Sequence, residues 1–548
     1  MSAGGRPTHE VTNQPPPLQD YNLFEQDRAL AEAVEREGAA WAEPGLAALG
    51  KLAGQPDFLR LGALANEHPP TLRTHDRYGK RIDEVEFHPS WHSLMRVAVE
   101  HGVHAMPWRE PRAGAHVARA AMMILGAQVE AGHGCPIGMT YAAVPALRAE
   151  PDLAAEWEPR FTSLDYDPRL VPARDKAGAL CGMAMTEKQG GSDVRANTTQ
   201  AEPLSDGAYA LTGHKWFCSA PMCDAFLVLA QAPGGLTCFL LPRILPDGTR
   251  NAFFIQRLKD KLGNRSNASS EIELDGAWAR RVGEEGRGVP TIIQMVNYTR
   301  LDCVLGSTGL IRRAIAEATH HAANRSAFGR PLIDQPLMRN VLADLCLESE
   351  ASTVLALRLA RAIDEGLSDE RAALFRRIAV AVGKFHVCKT AVGVVAEALE
   401  CFGGNGYVEE SGMPRLYRET PLSSIWEGSG NVNALDVLRA VAKAPATLDV
   451  FLEEIDLARG ADRRLDGFAD DLKADLQDPA DAESRARRLA ERMAQALQAS
   501  LLVRHAPSAV ADAFCASRLD GDAGRSYGTL GPGIDFGSII ERHAPQLG

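Results

Sequence analysis

The sequence predicts an α+β chain that is mainly helical, with one compact β segment set between helical ones. Three observations carry this. Apolar residues recur at three- and four-residue spacing through most of the first 178 residues and again from about 289 onward. Between about 179 and 285 turn signals crowd together, and short apolar runs separate them. Strands do not alternate with helices, so a parallel dinucleotide-binding sheet is not expected.

The predicted segments are 1–178, an arm and a helical domain; 179–285, a β domain; 286–443, a helical bundle; and 444–548, an extra C-terminal helical domain. In the arm, Pro15, Pro16 and Pro17 disfavour helix and strand alike. Helical pattern begins near Asn22, and Gly114–Gln128 has the spacing of a core-facing helix. In the β segment, turns at Ser205–Gly207, Pro233–Gly235 and Pro246–Gly248 bound strand candidates at Ala225–Ala230, Thr237–Leu241 and Ser270–Leu274. Three long amphipathic candidates follow, Gly306–Asn324, Met338–Glu365 and Ala372–Phe402, and helices of this length pack as an antiparallel bundle. The tail is rich in Ala, Leu, Arg and Asp, and becomes Gly-rich and less regular over Gly521–Gly537.

Composition excludes several classes. With 45% hydrophobic and 24% charged residues the chain can build a real core, so it is not a disordered protein. A formal charge of −12 rules out a whole-surface basic footprint for nucleic acid and leaves only a local patch. Ten scattered cysteines without a C-x-x-C pair are not a disulfide framework or a zinc site. His88 and His92 stand four apart without a H-E-x-x-H context, so no metal is expected. No apolar run approaches the roughly 18 residues of a membrane span, and the N-terminus lacks the apolar core of a signal peptide. A reduced cytoplasm is the expected compartment. Neither a G-x-S-x-G elbow nor a phosphate loop of the G-x-x-x-x-G-K type occurs.

Five strings could carry chemistry, and each also has a plain structural reading. Met183–Val194 (MAMTEKQGGSDV) places Thr186 and Ser192 around Gly190 and Gly191, as an anion nest or as an ordinary turn. Gly213–Ser219 (GHKWFCS) offers aromatics for a flat cofactor or for packing. Asn324–Arg330 offers Arg325 for a phosphate and Phe328 for a base, or simply ends a helix at Gly329. Cys401–Tyr407 (CFGGNGY) is Gly-rich, and helix termination after Glu400 also explains it. Ile425–Asn431 (IWEGSGN) sets Glu427 beside Trp426, which suits a general base of raised pKa; it could equally precede a helix capped by Ser429 or Asn431.

Together, in this order, MTEKQGGSDV, GHKWFCS, KLGNRSNAS, NRSAFGRPL, CFGGNGY and YRETPLSSIWEGSGN resemble the acyl-CoA dehydrogenase superfamily over roughly residues 80–443. The N-terminal TNQPPPL, the string RLKDKLGNRSNAS and the extra C-terminal domain are similar to its AidB branch, the alkylation-response flavoproteins. The resemblance implies a central β-barrel or sandwich, and FAD held by Met183, Thr186, Gly191 and Ser192, with Phe217 and Ser219 at the flavin ring. It implies that Arg325, Phe328, Gly403 and Gly404 reach the FAD of a neighbouring subunit in a homotetramer, and that Ser429 and Asn431 belong to the cofactor site. Glu427 matches the family's catalytic glutamate, which removes the α-proton of an acyl thioester. Arg300 matches a position near the CoA end of the substrate. Glu400 and Pro336 depart from the glutamines common at their positions.

Two functions compete on this reading. One is a flavin enzyme with weak activity on a short or branched acyl-CoA. The other is a double-stranded-DNA-binding protective protein whose dehydrogenase chemistry is vestigial. The tail from Pro445 has 18 acidic against 12 basic residues, an unfavourable balance for phosphate contact. Yet Arg485, Arg488 and Arg492 are spaced to share a helix face, with Arg439 just before the tail. A solvated or ion-paired face, with a tail that only supports packing, is the plainer alternative.

Overall fold

The computed structural model describes residues 8–546 apart from 479, so residues 1–7 of the expected arm lie outside the described residues. The first helical segment comprises α1 (Arg28–Val34), α2 (Glu43–Ala53), α3 (Pro56–Glu67), α4 (Pro89–Glu100), α5 (Met106–Arg109), α6 (Ala115–Val129), α7 (Gly134–Leu147) and α8 (Pro151–Phe161). Several start at a proline, including α3, α4 and α8, where the missing N–H costs nothing. Nearly every side chain of α6 is buried, so this helix runs through the core rather than along its surface.

The sequence did not announce a hairpin, β1 (Thr71–His75) with β2 (Arg81–Glu86), inside this helical segment. Its residues are mostly polar and only half-buried, so no apolar alternation marks it. The hairpin leans on the β domain: Arg81 donates to the Ile255 carbonyl, and Arg250 donates to the Ile82 carbonyl.

The β domain holds β3 (Cys181–Ala184), β4 (Gln200–Pro203), β5 (Tyr209–Ser219), β6 (Ala225–Ala232), β7 (Gly235–Pro242), β8 (Phe253–Leu258) and β9 (Ser269–Val282). Pairings run β6–β4–β5–β9–β7 and return from β7 to β6, so the sheet closes on itself, with β3 and β8 attached to β6 and β9. Closure removes the exposed edges that an open sheet of this size would carry. The three strand candidates read from the sequence fall on β6, β7 and β9.

The helices then return. α9 (Gly288–Asn324) ends in a small turn where β10 (Ser326–Ala327) pairs with β11 (Arg330–Pro331). α10 (Pro336–Glu365), α11 (Glu370–Glu400), α12 (Met413–Ser423) and α13 (Gly430–Lys443) complete the bundle. Pro336, one of the departures from the family pattern, opens α10 at a first-turn position. The absence of a membrane-length apolar run needs correcting. Helix α11 is long and apolar enough to cross a bilayer by composition, but 72% of its apolar window is buried among its neighbours, as a central bundle helix would be. The tail forms α14 (Ala446–Asp456), α15 (Arg463–Gln477), α16 (Ala482–His505), α17 (Ser508–Phe514) and α18 (Phe536–His543). Residues 521–535 carry no helix, as their glycines suggest.

Both ends of the chain meet on α9 and α10. The arm is pinned through Pro16, whose carbonyl accepts from His320, and Leu18, whose carbonyl accepts from Arg313. Arg312, 2% exposed, donates to the carbonyls of Gln26 and of His543. In α18, Arg542 bridges Glu350 of α10 and Glu32 of α1, and His543 also bonds Glu350.

A buried polar cluster joins the first segment, the β domain and the bundle. Glu130 accepts from the N–H groups of Gly132 and His133, from His133 Nδ1, from the Ser266 hydroxyl and from Asn66. Glu419 of α12 accepts from the Asn264 N–H at 2.7 Å. Burial raises the Glu130 carboxyl, but the bonds from His133 and Ser266 outweigh it and hold the group at about 2. Glu419, buried beside Glu130, is pushed up to about 7. Between the unfolded carboxylate value of about 4.3 and about 7, the native state keeps a proton that the unfolded chain has released. Stability therefore falls as pH rises through that window. Glu419→Gln is expected to flatten this fall, so that its melting temperature exceeds the parent's near pH 8 and the two converge near pH 5. Parallel melting curves across that range would refute the assignment.

Candidate active site

The loop after β3 is built around a buried acid. Glu187 is fully buried, and its carboxylate accepts from Thr198 and Thr199 (both N–H and hydroxyl), from Gln189, and from Lys215 Nζ at 2.7 Å. Lys215, 1% exposed, spends a second hydrogen on the Leu229 carbonyl. Trp216 N–H donates to the Thr186 carbonyl, so the loop is fastened to β5. At Gly191 a Cβ would come 2.5 Å from Thr186 Oγ1, so only glycine lets the chain fold over Thr186. Met183, Thr186 and Ser192 are thus presented together; Ser192 is exposed. Sequence reasoning singled out this loop but missed Glu187, its internal anchor.

β5 ends in an exposed aromatic and a half-buried hydroxyl. Phe217 is 49% exposed, and the Lys259 ammonium lies over both the Trp216 and Phe217 rings. Ser219 Oγ lies 3.4 Å from Ser269 Oγ. Lys261 donates to Ser269 Oγ and to the Asn267 carbonyl, and burial lowers its ammonium to about 8. The Asn267 side chain, 1% exposed, has no partner for either its oxygen or its nitrogen.

Glu427 sits in the turn between α12 and α13 with φ +56, a left-handed conformation that a glutamate rarely adopts. Its carboxylate accepts from Thr299 Oγ1 at 2.6 Å and its carbonyl from Arg300 Nε at 3.1 Å. Lys384 of α11 donates to the carbonyls on either side, Trp426 at 2.9 Å and Gly428 at 2.5 Å. Burial raises the Glu427 pKa; the Thr299 bond and the charges of Lys384 and Arg300 pull it back. Cys135 lies at the start of α7. Burial pushes its thiol up to about 12; the Lys261 charge opposes this and the Glu427 charge adds to it.

Other expected residues are placed differently. Arg300 is 5% exposed; its guanidinium is spent on the Glu427 carbonyl and on Asp436, at 2.7 Å. It braces the turn through these bonds. Ser429 stands at the start of α13 without a side-chain capping bond; Asn433 instead donates to the carbonyls of Gly428 and Ser429. Asn431 is exposed. Arg325 donates to the Asn13 carbonyl, and Asn13 exchanges two further bonds with Ser326, so the arm docks on this turn. Phe328 is 99% exposed at φ +51, and Gly403 and Gly404 are exposed too. Among the described residues no hydrogen bond joins these four to the Glu427 turn.

The basic face of α16 is smaller than its spacing suggests. Arg485 folds back onto the carbonyls of Asp478 and Ala480, and Arg492 is paired with Asp475, because acidic residues of α15 and its exit lie alongside. Arg439 and Arg488 remain exposed. All ten cysteines are unpaired thiols, and among the described residues no group of three or more His, Cys, Asp or Glu could hold a metal ion.

Family models cover most of the chain: the AidB N-terminal domain over residues 13–168, the acyl-CoA dehydrogenase middle domain over 182–277, and the acyl-CoA dehydrogenase C-terminal domain over 286–442. AidB of Escherichia coli (strain K12) is 49% identical over 94% of this chain and 95% of its own length. The chain belongs to the AidB branch of the acyl-CoA dehydrogenase family. It is by that membership an oxidoreductase of the acyl-CoA dehydrogenase class. Two solved structures extend the likeness. One is Caenorhabditis elegans ACDH-11 in complex with C11-CoA: 28% identical, TM-score 0.87, covering 94% of each chain. The other is an acyl-CoA dehydrogenase complexed with FAD from Bacillus anthracis: 19% identical, TM-score 0.62, covering 78% of this chain and 77% of that one, a likeness of fold.

Proposed function

We propose that this AidB-branch chain is an FAD-dependent acyl-CoA dehydrogenase whose base is Glu427, acting on a short or branched acyl thioester with modest turnover. The observation that carries the reading is Glu427 held in a left-handed turn by Thr299, Arg300 and Lys384, with its carboxylate desolvated. The residues present fit a flavin. Phe217 offers an exposed aromatic face, Ser219 a hydroxyl, the Gly191 fold over Thr186 a close backbone approach, and Asn267 two unpartnered polar atoms. When bound, FAD supplies a hydride acceptor for the substrate β-carbon. Glu427 takes the α-proton, and its partly desolvated carboxylate is a stronger base for it. Met183, Thr186, Gly191 and Ser192 would hold the cofactor, and the Ser429–Asn431 turn would border it.

Phe328, Gly403 and Gly404 lie exposed, Arg325 is half-buried against the arm, and among the described residues none of the four bonds the Glu427 turn, which suits contact with the cofactor of a second copy in a homotetramer. Ten thiols suit a reducing compartment such as the cytoplasm. An anaerobic titration with acyl-CoAs of graded length and branching, extending to an eleven-carbon chain because ACDH-11 was solved with C11-CoA, tests the reading. Flavin bleaching by a subset is expected; an unchanged flavin spectrum with every thioester would overturn it.

A role in the response to DNA alkylation through duplex binding is the second reading. The exposed Arg439 and Arg488, on helices α13 and α16 that pack together, favour it. Arg485 and Arg492 are already committed to neighbours. Two or three available arginines predict a shallow dependence of log affinity on log salt, with a slope near −2 to about −3. Arg439→Ala with Arg488→Ala should abolish most of that slope, and an unaltered slope would place any contact elsewhere.

A further inference from the structure

The arginines around Glu427 are held by carboxylates of their own. Arg300 is held by Asp436 at 2.7 Å, and Asp436 also takes Arg377 at 2.8 Å. Asp302, which faces Glu427 from α9, is neutralised by Arg119 at 2.5 Å. Lys261, on the β-domain side, spends its donors on the Asn267 carbonyl and the Ser269 hydroxyl and among the described residues makes no bond to the Glu427 turn. Lys389 is exposed and bonds the Ser424 hydroxyl. Lys384 differs. It is 1% exposed, lies in the middle of α11, and among the described residues pairs with no Asp or Glu within salt-bridge distance. Its donors go to the two carbonyls that flank Glu427. A buried ammonium without a countercharge is strongly unfavourable, and the one carboxylate left unmatched beside it is Glu427.

We infer that Lys384 is the positioning residue and counter-ion of Glu427, gripping the left-handed turn from below and keeping its carboxylate ionised in the resting site. The inference rests on the reading of Glu427 as the base. Two opposed forces act on that carboxylate. Desolvation favours the neutral acid, which cannot accept a proton, and the Asp302 charge pushes the same way. The Thr299 hydroxyl and the Lys384 and Arg300 charges oppose them. Arg300 is discounted by its own carboxylate partner, so the unshared charge of Lys384 is the larger lever. Lysine suits this place because a compact ammonium can reach two carbonyls two residues apart, where a planar guanidinium could not without displacing the turn.

The test uses the full-length holoprotein and three variants. Lys384→Met removes charge and hydrogen bonds; Lys384→Gln keeps donors without charge; Lys384→Arg keeps charge. Two readouts are taken against pH. One is the rate of flavin bleaching by the best acyl-CoA. The other, which needs no turnover, is the carboxyl stretch in the infrared, assigned to Glu427 by its loss in Glu427→Gln. For Met and Gln the infrared titration and the acid limb of the rate should both move up by about one unit or more, with the rate recovering at high pH. Arg should keep the parent's titration even where it lowers the rate. An infrared titration unmoved in both Met and Gln would overturn the inference, as would a loss of rate equal at every pH, which marks a merely structural role. If Met does not fold, Gln decides alone, since it preserves the carbonyl bonds. A parent protein that titrates as described but is bleached by no thioester would sink the dehydrogenase reading while leaving the Lys384–Glu427 pairing standing.

Discussion

Glu427→Gln is expected to give a yellow, folded protein that acyl-CoA no longer bleaches, with the reductive rate down by about 10²- to 10⁴-fold. The substitution keeps the shape of the side chain and leaves an amide oxygen to accept the Thr299 hydroxyl, which lies 2.6 Å from the native carboxylate. It removes the basicity and the negative charge that faces Lys384. The bonds from Arg300 and Lys384 go to main-chain carbonyls, so the left-handed turn has no reason to relax. Flavin content should therefore match the parent while the stopped-flow amplitude disappears, and the melting temperature should fall by what the buried Lys384 ammonium loses with its countercharge. Undiminished bleaching would remove Glu427 as the base.

The second large effect is on stability. Glu187→Ala should cost about 3–5 kcal/mol, because it strands the fully buried Lys215 ammonium in the barrel and orphans the N–H and hydroxyl donors of Thr198 and Thr199. The same loss should release FAD, since Thr186 precedes Glu187 and the Gly191 fold depends on this loop. Burial works against the Glu187 carboxylate, but the Lys215 charge and the threonine bonds hold its pKa well below the ordinary value. Lys215→Met alone should be comparably damaging. The double change Glu187→Ala with Lys215→Met should cost less than the sum of the two single changes, because it leaves no unpaired charge. Urea unfolding of the four proteins measures this, and strict additivity would show that the two side chains do not act as a pair.

Much of the architecture was legible because periodicity is local. Strands β6 and β7 are continuous apolar runs, and helices α9 to α11 carry their pattern over 30 residues or more. The hairpin β1–β2 was not legible, since its half-buried polar strands have neither an apolar face nor an apolar run. Glu427 and Ser219 stand in recognisable strings. Glu187, Thr299, Lys384 and Cys135 were invisible for another reason. Each matters through a partner at least ten residues away, and nothing in a single sequence records such pairings. Arg300 was noticed, but its pairing with Asp436 is a fact of tertiary contact that no spacing shows. The α16 arginines failed similarly: helical spacing placed them on one face, but could not show that the exit of α15 supplies Asp475 and Asp478 to two of them.

The chain's two ends share anchors on the same pair of helices, and this changes what the molecule is mechanically. Arg312 bonds residues near both termini at once, and Arg542 ties the last helix to the first. A four-part chain of this length could have behaved as beads on a string, each unit opening independently. Here the string is buckled into a loop, and the buckle lies against the helix whose far end carries the docked arm and the exposed Phe328 turn. Loosening the final helix therefore slackens the opening residues as well, and the molecule should come apart at the clasp before it comes apart at any of its links.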